Sequence, residues 1–267
     1  MICTFVGGSD VGSGTETIAV PVSSDNGTYN LHGYKWFTSA TDADMTLTLA
    51  RIQNEKGETI PGSKGLSMFY LQTRKDDGSL NSIQIMKLKN KLGTRQLPTG
   101  ELLLDGTEAS LLSEPGRGVA TISGMLSVTR LHNQVASIAA MRRVLVLLRD
   151  YSTKRECFGQ KISSMGLHLN TMAHLEVITR AGTLFVMELC RLFGRVEVLN
   201  DDRDQAIFRL LTPIGKLYFG KLCMGVVSEG LEGFGGNGYI EDTGIPRILR
   251  DVQVGFNRIL HLWRSFL

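Results

Sequence analysis

The chain has 267 residues, 42% of them hydrophobic and 21% charged, and its 29 basic and 26 acidic side chains give a formal net charge of +3. That length favours two domains over a single core, and the composition is that of an ordinary globular protein. No stretch reaches the roughly 18 uninterrupted apolar residues that a membrane span requires, and basic residues are mixed with acidic ones, which argues against a nucleic-acid footprint.

Cys3, Cys157, Cys190 and Cys223 are widely spaced, with neither a C-x-x-C pair nor a histidine at zinc-ligand spacing. Neither a metal site nor a disulfide framework is expected, and free thiols suit a reducing compartment. The first eight residues are too short and too poor in charge for a targeting peptide, and they run into a glycine-rich turn. The start therefore reads as an interior segment of something longer.

Up to about Pro115 the sequence is built of short alternating or β-branched runs at 15–22, 29–38, 45–52, 66–73, 82–87 and 101–104. These predict strands, with Asp25-Asn26-Gly27 and Asp76-Asp77-Gly78 supplying tight turns. The expected first domain, 1–115, is an antiparallel β-barrel or sandwich. Beyond Pro115 the apolar period lengthens to three or four residues, as in Ile138, Met141, Leu145 and Leu148. Helices are expected at about 118–154, 164–194 and 203–230, with Gly194 marking a helix end and Asp202 as the N-cap of the last, closed by Gln205. The second domain, 116–267, is then a helical bundle, and the fold class is α+β multidomain.

Individual motifs carry little by themselves. Gly233 to Gly238 matches the G-x-G-x-x-G spacing of a dinucleotide fingerprint, but it follows a helix where that fingerprint must follow a strand. A glycine-rich helix end is the better reading. Trp36 alone suits barrel packing, and His132, His168 and His174 have no carboxylate or cysteine at a suggestive spacing.

The ordered set is specific: Gly-Gly-Ser-Asp-Val at 7–11, Lys-Trp-Phe-Thr at 35–38, Lys-Leu-Gly-Thr-Arg at 91–95, Thr-Arg at 129–130, Arg-x-x-Phe-Gly at 155–159, Gly-Gly-Asn-Gly-Tyr at 235–239 and Arg-Asp at 250–251. Together these resemble the acyl-CoA dehydrogenase superfamily over about residues 4–254. The stretch from Lys87 to Arg95, with Glu232, is similar to the branch containing the bacterial flavoprotein AidB and its long-chain animal relatives. The resemblance implies a middle barrel and a C-terminal bundle around FAD, without the family's N-terminal helical domain and without its C-terminal end.

Residue by residue, the resemblance implies that Trp36 packs on the flavin ring, with Phe37 beside it, and that Thr38 hydrogen-bonds near the hydride-accepting N5. It implies that Ser9 lies where the flavin pyrophosphate meets acyl-CoA. Relatives have a Thr-Glu pair six and five residues before that serine; Cys3 and Thr4 stand there, so either Thr4 substitutes with a shifted loop or one flavin contact is lost. Arg155 and Phe158 would reach the FAD of a partner subunit, and Glu232, Gly235 and Gly236 would meet its adenosine and pyrophosphate end. Arg130 would contact CoA. A homodimer or homotetramer is implied for the full-length form, in a mitochondrial or cytoplasmic setting.

No catalytic residue is assigned. The family's reaction needs a carboxylate to take the α-proton while hydride leaves the β-carbon. Thr129 fills the position where a minority of relatives carry that glutamate, and no acid follows Asp251. Three functions are open: an acyl-CoA dehydrogenase polypeptide lacking its ends, a non-catalytic acyl-CoA or fatty-acid binding protein, and a nucleic-acid-associated flavoprotein.

Overall fold

The computed structural model describes residues 3–4, 11–12, 14–22 and 27–257, with the backbone alone at 3–4 and 255–257. The chain divides into two compact units, residues 1–91 with 95–125 and residues 92–94 with 126–267.

The first unit is a sheet of seven strands: β1 (Cys3–Thr4), β2 (Ile18–Pro21), β3 (Thr28–Thr38), β4 (Met45–Ile52), β5 (Leu66–Gln72), β6 (Ile83–Leu88) and β7 (Gly100–Leu111). Pairings β3–β2, β2–β4, β4–β5, β5–β7 and β7–β3 close five of them into a barrel, to which β1 and β6 are added. Every pairing is antiparallel except β2–β4, where Ile18 stands opposite Arg51. Inward residues fill the barrel, among them Ala19, Leu31, Ala50, Phe69, Leu102 and Leu104. The last strand, expected over 101–104, runs on to Leu111. The register against β3 passes from His32↔Asp105 to Leu31↔Thr107, so Gly106, at φ 77°, is the extra residue of a bulge that bends the strand without ending it.

The second unit holds α1 (Gly118–Lys154, its first turns in the first unit), the hairpin β8 (Glu156–Cys157) and β9 (Gln160–Lys161), α2 (Gly166–Leu199), α3 (Asp202–Glu232) and α4 (Ile245–Asn257). Met141, Leu145, Leu148, Leu175, Val186, Phe219, Cys223 and Val227 form its core. Small residues allow the close approach: a β-carbon at Gly182 would lie 2.5 Å from Ile138, and one at Gly230 would lie 2.2 Å from Val144.

Three helix expectations are corrected. Gly194 does not end α2, which continues to Leu199 and stops at Asn200 in the left-handed conformation (φ 50°). The N-cap of α3 is Asp201 rather than Asp202: its side chain accepts from the Asp204 amide at 2.9 Å, and Asp202 is already helical. α4 was not expected, although Ile245, Ile248, Leu249 and Val252 recur at helical spacing and pack on the core. By length and composition α3 could cross a membrane, but half of its most apolar window is buried in the bundle, as in a core helix of a globular protein.

Candidate functional site

On β3, alternation sends Leu31 and Lys35 inward and Tyr34 and Trp36 outward, and then it breaks. The register against β7 shifts between Lys35↔Leu102 and Thr38↔Gly100, so Trp36 and Phe37 together oppose Glu101. This bulge leaves both rings part-exposed, Trp36 at 42% and Phe37 at 41%, and returns Thr38 to full burial. The two rings meet edge to face with centroids 6.1 Å apart. Thr4 pairs with Phe37 and Cys3 with Thr38 across the β1–β3 ladder, which brings Thr4 to the expected cluster. Ser9, with Gly7 and Gly8, lies outside the described residues.

Charge accompanies the rings. Lys89 holds its Nζ 3.1 Å from the Trp36 ring centroid and 4.9 Å from that of Phe37. The same ammonium lies 2.5 Å from Oε1 of Glu101, and Tyr34 donates its hydroxyl to Oε2. Hydrogen bonds from Lys89 and then Tyr34 hold the Glu101 carboxyl below the usual carboxylate range, and the Glu101 bond raises the Tyr34 phenol. Sequence reading missed Tyr34, Lys89 and Glu101 as a group, because only the strand register brings them together.

In the second unit, Arg130 lies about a third of the way along α1. Its guanidinium, half-buried, has no partner among the described residues, and burial lowers its pKa. Thr129 beside it donates its hydroxyl to the Leu126 carbonyl at 2.9 Å. At the end of α1 the chain makes a two-residue hairpin in which Phe158 (φ 52°) and Gly159 (φ 76°) are both left-handed, a type I′ turn. A phenylalanine in that conformation is strained, and this one is 97% exposed. Arg155, at the base of the hairpin, is exposed, and its side chain has no partner among the described residues.

Glu232 ends α3, exposed, and Gly235 and Gly236 follow in a short 3-10 turn. Tyr151 of α1 steadies this segment, its ring 5.3 Å from that of Phe234 and its hydroxyl accepting from Asn237 Nδ2 at 3.3 Å. The glycines differ in purpose. A β-carbon at Gly238 would lie 2.0 Å from the Leu231 carbonyl oxygen, so packing excludes a side chain there, whereas at Gly236 it would meet nothing within 4 Å and φ is not positive. Nothing among the described residues requires Gly236 to be glycine.

Cys223 and Ser152 are occupied structurally. Burial pushes the Cys223 thiol up to about 12, away from thiolate chemistry. Ser152 Oγ lies 2.7 Å from His168 Nε2, but the hydroxyl is buried and also donates to the Leu148 carbonyl. No group of three metal-ligating side chains occurs among the described residues.

Comparison with known proteins accounts for this arrangement. The family model for the acyl-CoA dehydrogenase middle domain matches residues 5–107, and that for the C-terminal domain matches residues 116–258. Acyl-CoA dehydrogenase family member 11 of Caenorhabditis elegans is 55% identical over 249 residues, which cover 93% of this chain and 40% of that protein. AidB of Escherichia coli is 31% identical over 93% of this chain and 43% of its own length. The crystal structure of C. elegans ACDH-11 in complex with C11-CoA superposes with a TM-score of 0.93 at 53% identity, over 97% of this chain and 45% of that one. The chain thus spans about two fifths of the length of the curated relatives it matches. Barrel, bundle and motif order all agree: the chain belongs to the acyl-CoA dehydrogenase family.

Proposed function

We propose that the full-length form of this protein binds FAD and an acyl-CoA thioester and works as an FAD-dependent acyl-CoA dehydrogenase, with 1–115 as its middle barrel and 116–267 as part of its C-terminal bundle. The observation that carries this reading is the hairpin after α1. It spends backbone strain to hold Phe158 in solvent, beside an Arg155 guanidinium with no partner among the described residues. Among the described residues such an arm has no side-chain hydrogen-bond partner, which suits a cofactor held by a second subunit.

The residues present fit FAD. Trp36 and Phe37 offer a part-exposed aromatic ledge for a planar ring system. Thr4 and Thr38 lie in the strand segments that carry it, and Ser9, outside the described residues, is assigned by the resemblance alone. Arg155 supplies a fork of donors suited to a pyrophosphate, and the open space at Gly236, with Gly235 and Glu232 beside it, admits close approach of a ligand to backbone. When bound, FAD supplies the hydride acceptor for α,β-dehydrogenation. The half-buried Arg130 offers an uncompensated positive charge to an acyl-CoA phosphate, with Ser9 as the second expected substrate contact. Exposed apolar residues on α2 and α3 support a homodimer or homotetramer.

A second reading is favoured by one specific feature. Thr129, next to Arg130, is not a base and donates its hydroxyl to the Leu126 carbonyl, so this position offers an acyl-CoA contact without a group to take the α-proton. A non-catalytic acyl-CoA binding protein would use the same expected contacts. Purified full-length protein separates the two. Yellow protein whose flavin is bleached by a saturated acyl-CoA supports the dehydrogenase, acyl-CoA retained without bleaching supports the binding protein, and protein free of flavin rules out the first reading.

A further inference from the structure

The Lys89–Glu101 ion pair is nearly withdrawn from water, each side chain being 12% exposed, yet it lies outside the barrel core beside two part-exposed rings. A pair so placed survives desolvation only with its geometry well satisfied. Here Glu101 uses one carboxylate oxygen for Lys89 and the other for the Tyr34 hydroxyl. Two register shifts flank Glu101, one between Lys35 and Thr38 on β3 and one between Ile85 and Lys87 on β6. The local irregularity of both neighbouring strands thus serves the same few side chains. With its nitrogen 3.1 Å from the ring centroid, Lys89 occupies one face of the Trp36 indole.

We propose that Lys89, anchored by Glu101 and Tyr34, is a positioning residue that fixes the Trp36 ring as the platform on which the flavin packs. The proposal rests on the flavin reading above and adds a device to it. Bulged strands leave an aromatic side chain free to turn, and a clamped cation on one face removes that freedom before the ligand arrives. Phe37, 4.9 Å from the same ammonium and edge-on to Trp36, limits the remaining tilt.

The test uses the full-length protein and the variants Lys89→Met, Lys89→Arg and Glu101→Gln. In FAD-free protein, the emission belonging to Trp36, defined as the component removed by Trp36→Phe, should shift in Lys89→Met and Glu101→Gln and persist in Lys89→Arg. FAD retention, measured by equilibrium dialysis at a temperature where every FAD-free form is folded, should weaken about fivefold to tenfold in Lys89→Met and recover in Lys89→Arg, although loss of one partner of the pair lowers the thermal midpoint. Unchanged Trp36 emission in Lys89→Met overturns the proposal, as does equal weakening in the Met and Arg variants, which would mark ordinary packing. If the unaltered protein takes up no FAD, the flavin reading fails with the proposal, whereas insensitivity of Trp36 to Lys89 defeats the proposal alone.

Discussion

The backbone amide of Thr94 donates to Oδ1 of Asp251 at 2.6 Å, across 157 residues of sequence. The two residues belong to separate motifs, Lys-Leu-Gly-Thr-Arg and Arg-Asp, and their bond makes 92–94 part of the helical unit although barrel residues flank it on both sides. Gly93 completes the contact: a β-carbon there would lie 2.2 Å from the Arg250 carbonyl oxygen. Arg250 in turn pairs with both carboxylate oxygens of Glu241, which fixes the start of α4. Asp251→Ala should therefore cost about 1.5–3 kcal/mol, the loss of a hydrogen bond to a charged acceptor. Gly93→Ala should cost at least as much, because the obstructing atoms are backbone and cannot turn aside. Urea denaturation of the full-length protein measures both; a change below about 0.5 kcal/mol for Asp251→Ala would place the bond among ordinary surface contacts.

The reach of sequence reading is clear from such cases. Strand and helix periods reveal the barrel followed by the bundle, because burial on one face dictates period whatever the partner. Endings were less legible. Gly106 became a bulge and Gly194 an interior helical residue, since a glycine permits a break without requiring one. The Trp36 ledge was read from motif resemblance, but Lys89 and Glu101 become part of it only through two register shifts, and register is set by tertiary pairing. Ser9 lies outside the described residues.

Arg155 and Phe158 should separate stability from cofactor binding. Phe158→Gly relieves a left-handed backbone strain and should stabilise the hairpin by roughly 0.5–1 kcal/mol. If the ring packs beside a partner subunit's cofactor, the same change should weaken FAD retention. Arg155→Ala should weaken retention about tenfold or more, through loss of a charge-assisted pair, without lowering the melting point of FAD-free protein. Retention unchanged in both variants, measured by flavin absorbance after gel filtration, would remove the hairpin from the cofactor site.

The 267-residue chain should show no acyl-CoA dehydrogenase turnover. Thr129 has its hydroxyl engaged with the Leu126 carbonyl, and the sequence after Asp251 contains no carboxylate. Loss of a general base removes about 10²–10⁴-fold of rate even where binding survives. Dye-coupled assays with saturated acyl-CoAs of several chain lengths, run against an enzyme-free control, test this directly; turnover above the control would mean that another group takes the proton.

Acid should loosen the pairing of α1 with α2. Glu176 accepts from Arg142 at 2.8 Å, Arg149 at 3.1 Å and Arg180 at 2.7 Å. Burial alone would raise its carboxyl, but the bonds from Arg180 and Arg142 outweigh burial and the net direction is downward. A carboxyl depressed on folding contributes stability that is present above its unfolded value of about 4.3 and is lost as pH falls through the lower folded value. Glu176→Gln should cost about 1 kcal/mol at neutral pH and flatten this part of the acid dependence. Parallel loss of stability between pH 5 and pH 3 in both proteins would show that other carboxylates govern acid unfolding.

Isolated, the 267-residue chain should associate rather than remain a monomer. On α2, Val177, Leu184 and Met187 are exposed at spacings of seven and three residues; on α3, Leu210, Ile214, Leu217 and Tyr218 are exposed at four, three and one. Each set forms one stripe of its helix, turned away from the core around Leu175, Val186, Phe219 and Val227. Contiguous apolar surface beyond a few hundred Å² is uncommon on a monomer. At roughly 25 cal/mol per Å², every 400 Å² left uncovered forgoes about 10 kcal/mol of burial, comparable with the whole stability of a domain. Covering such surface, by further polypeptide or by another subunit, is therefore favourable. Sedimentation velocity on the isolated chain should show concentration-dependent association or loss of material to aggregates. The double change Leu184→Lys and Ile214→Lys should reduce it, because both side chains already face solvent and their charging leaves the core intact. A monodisperse, cooperatively melting monomer without those changes would mean that the stripes are tolerated as ordinary surface.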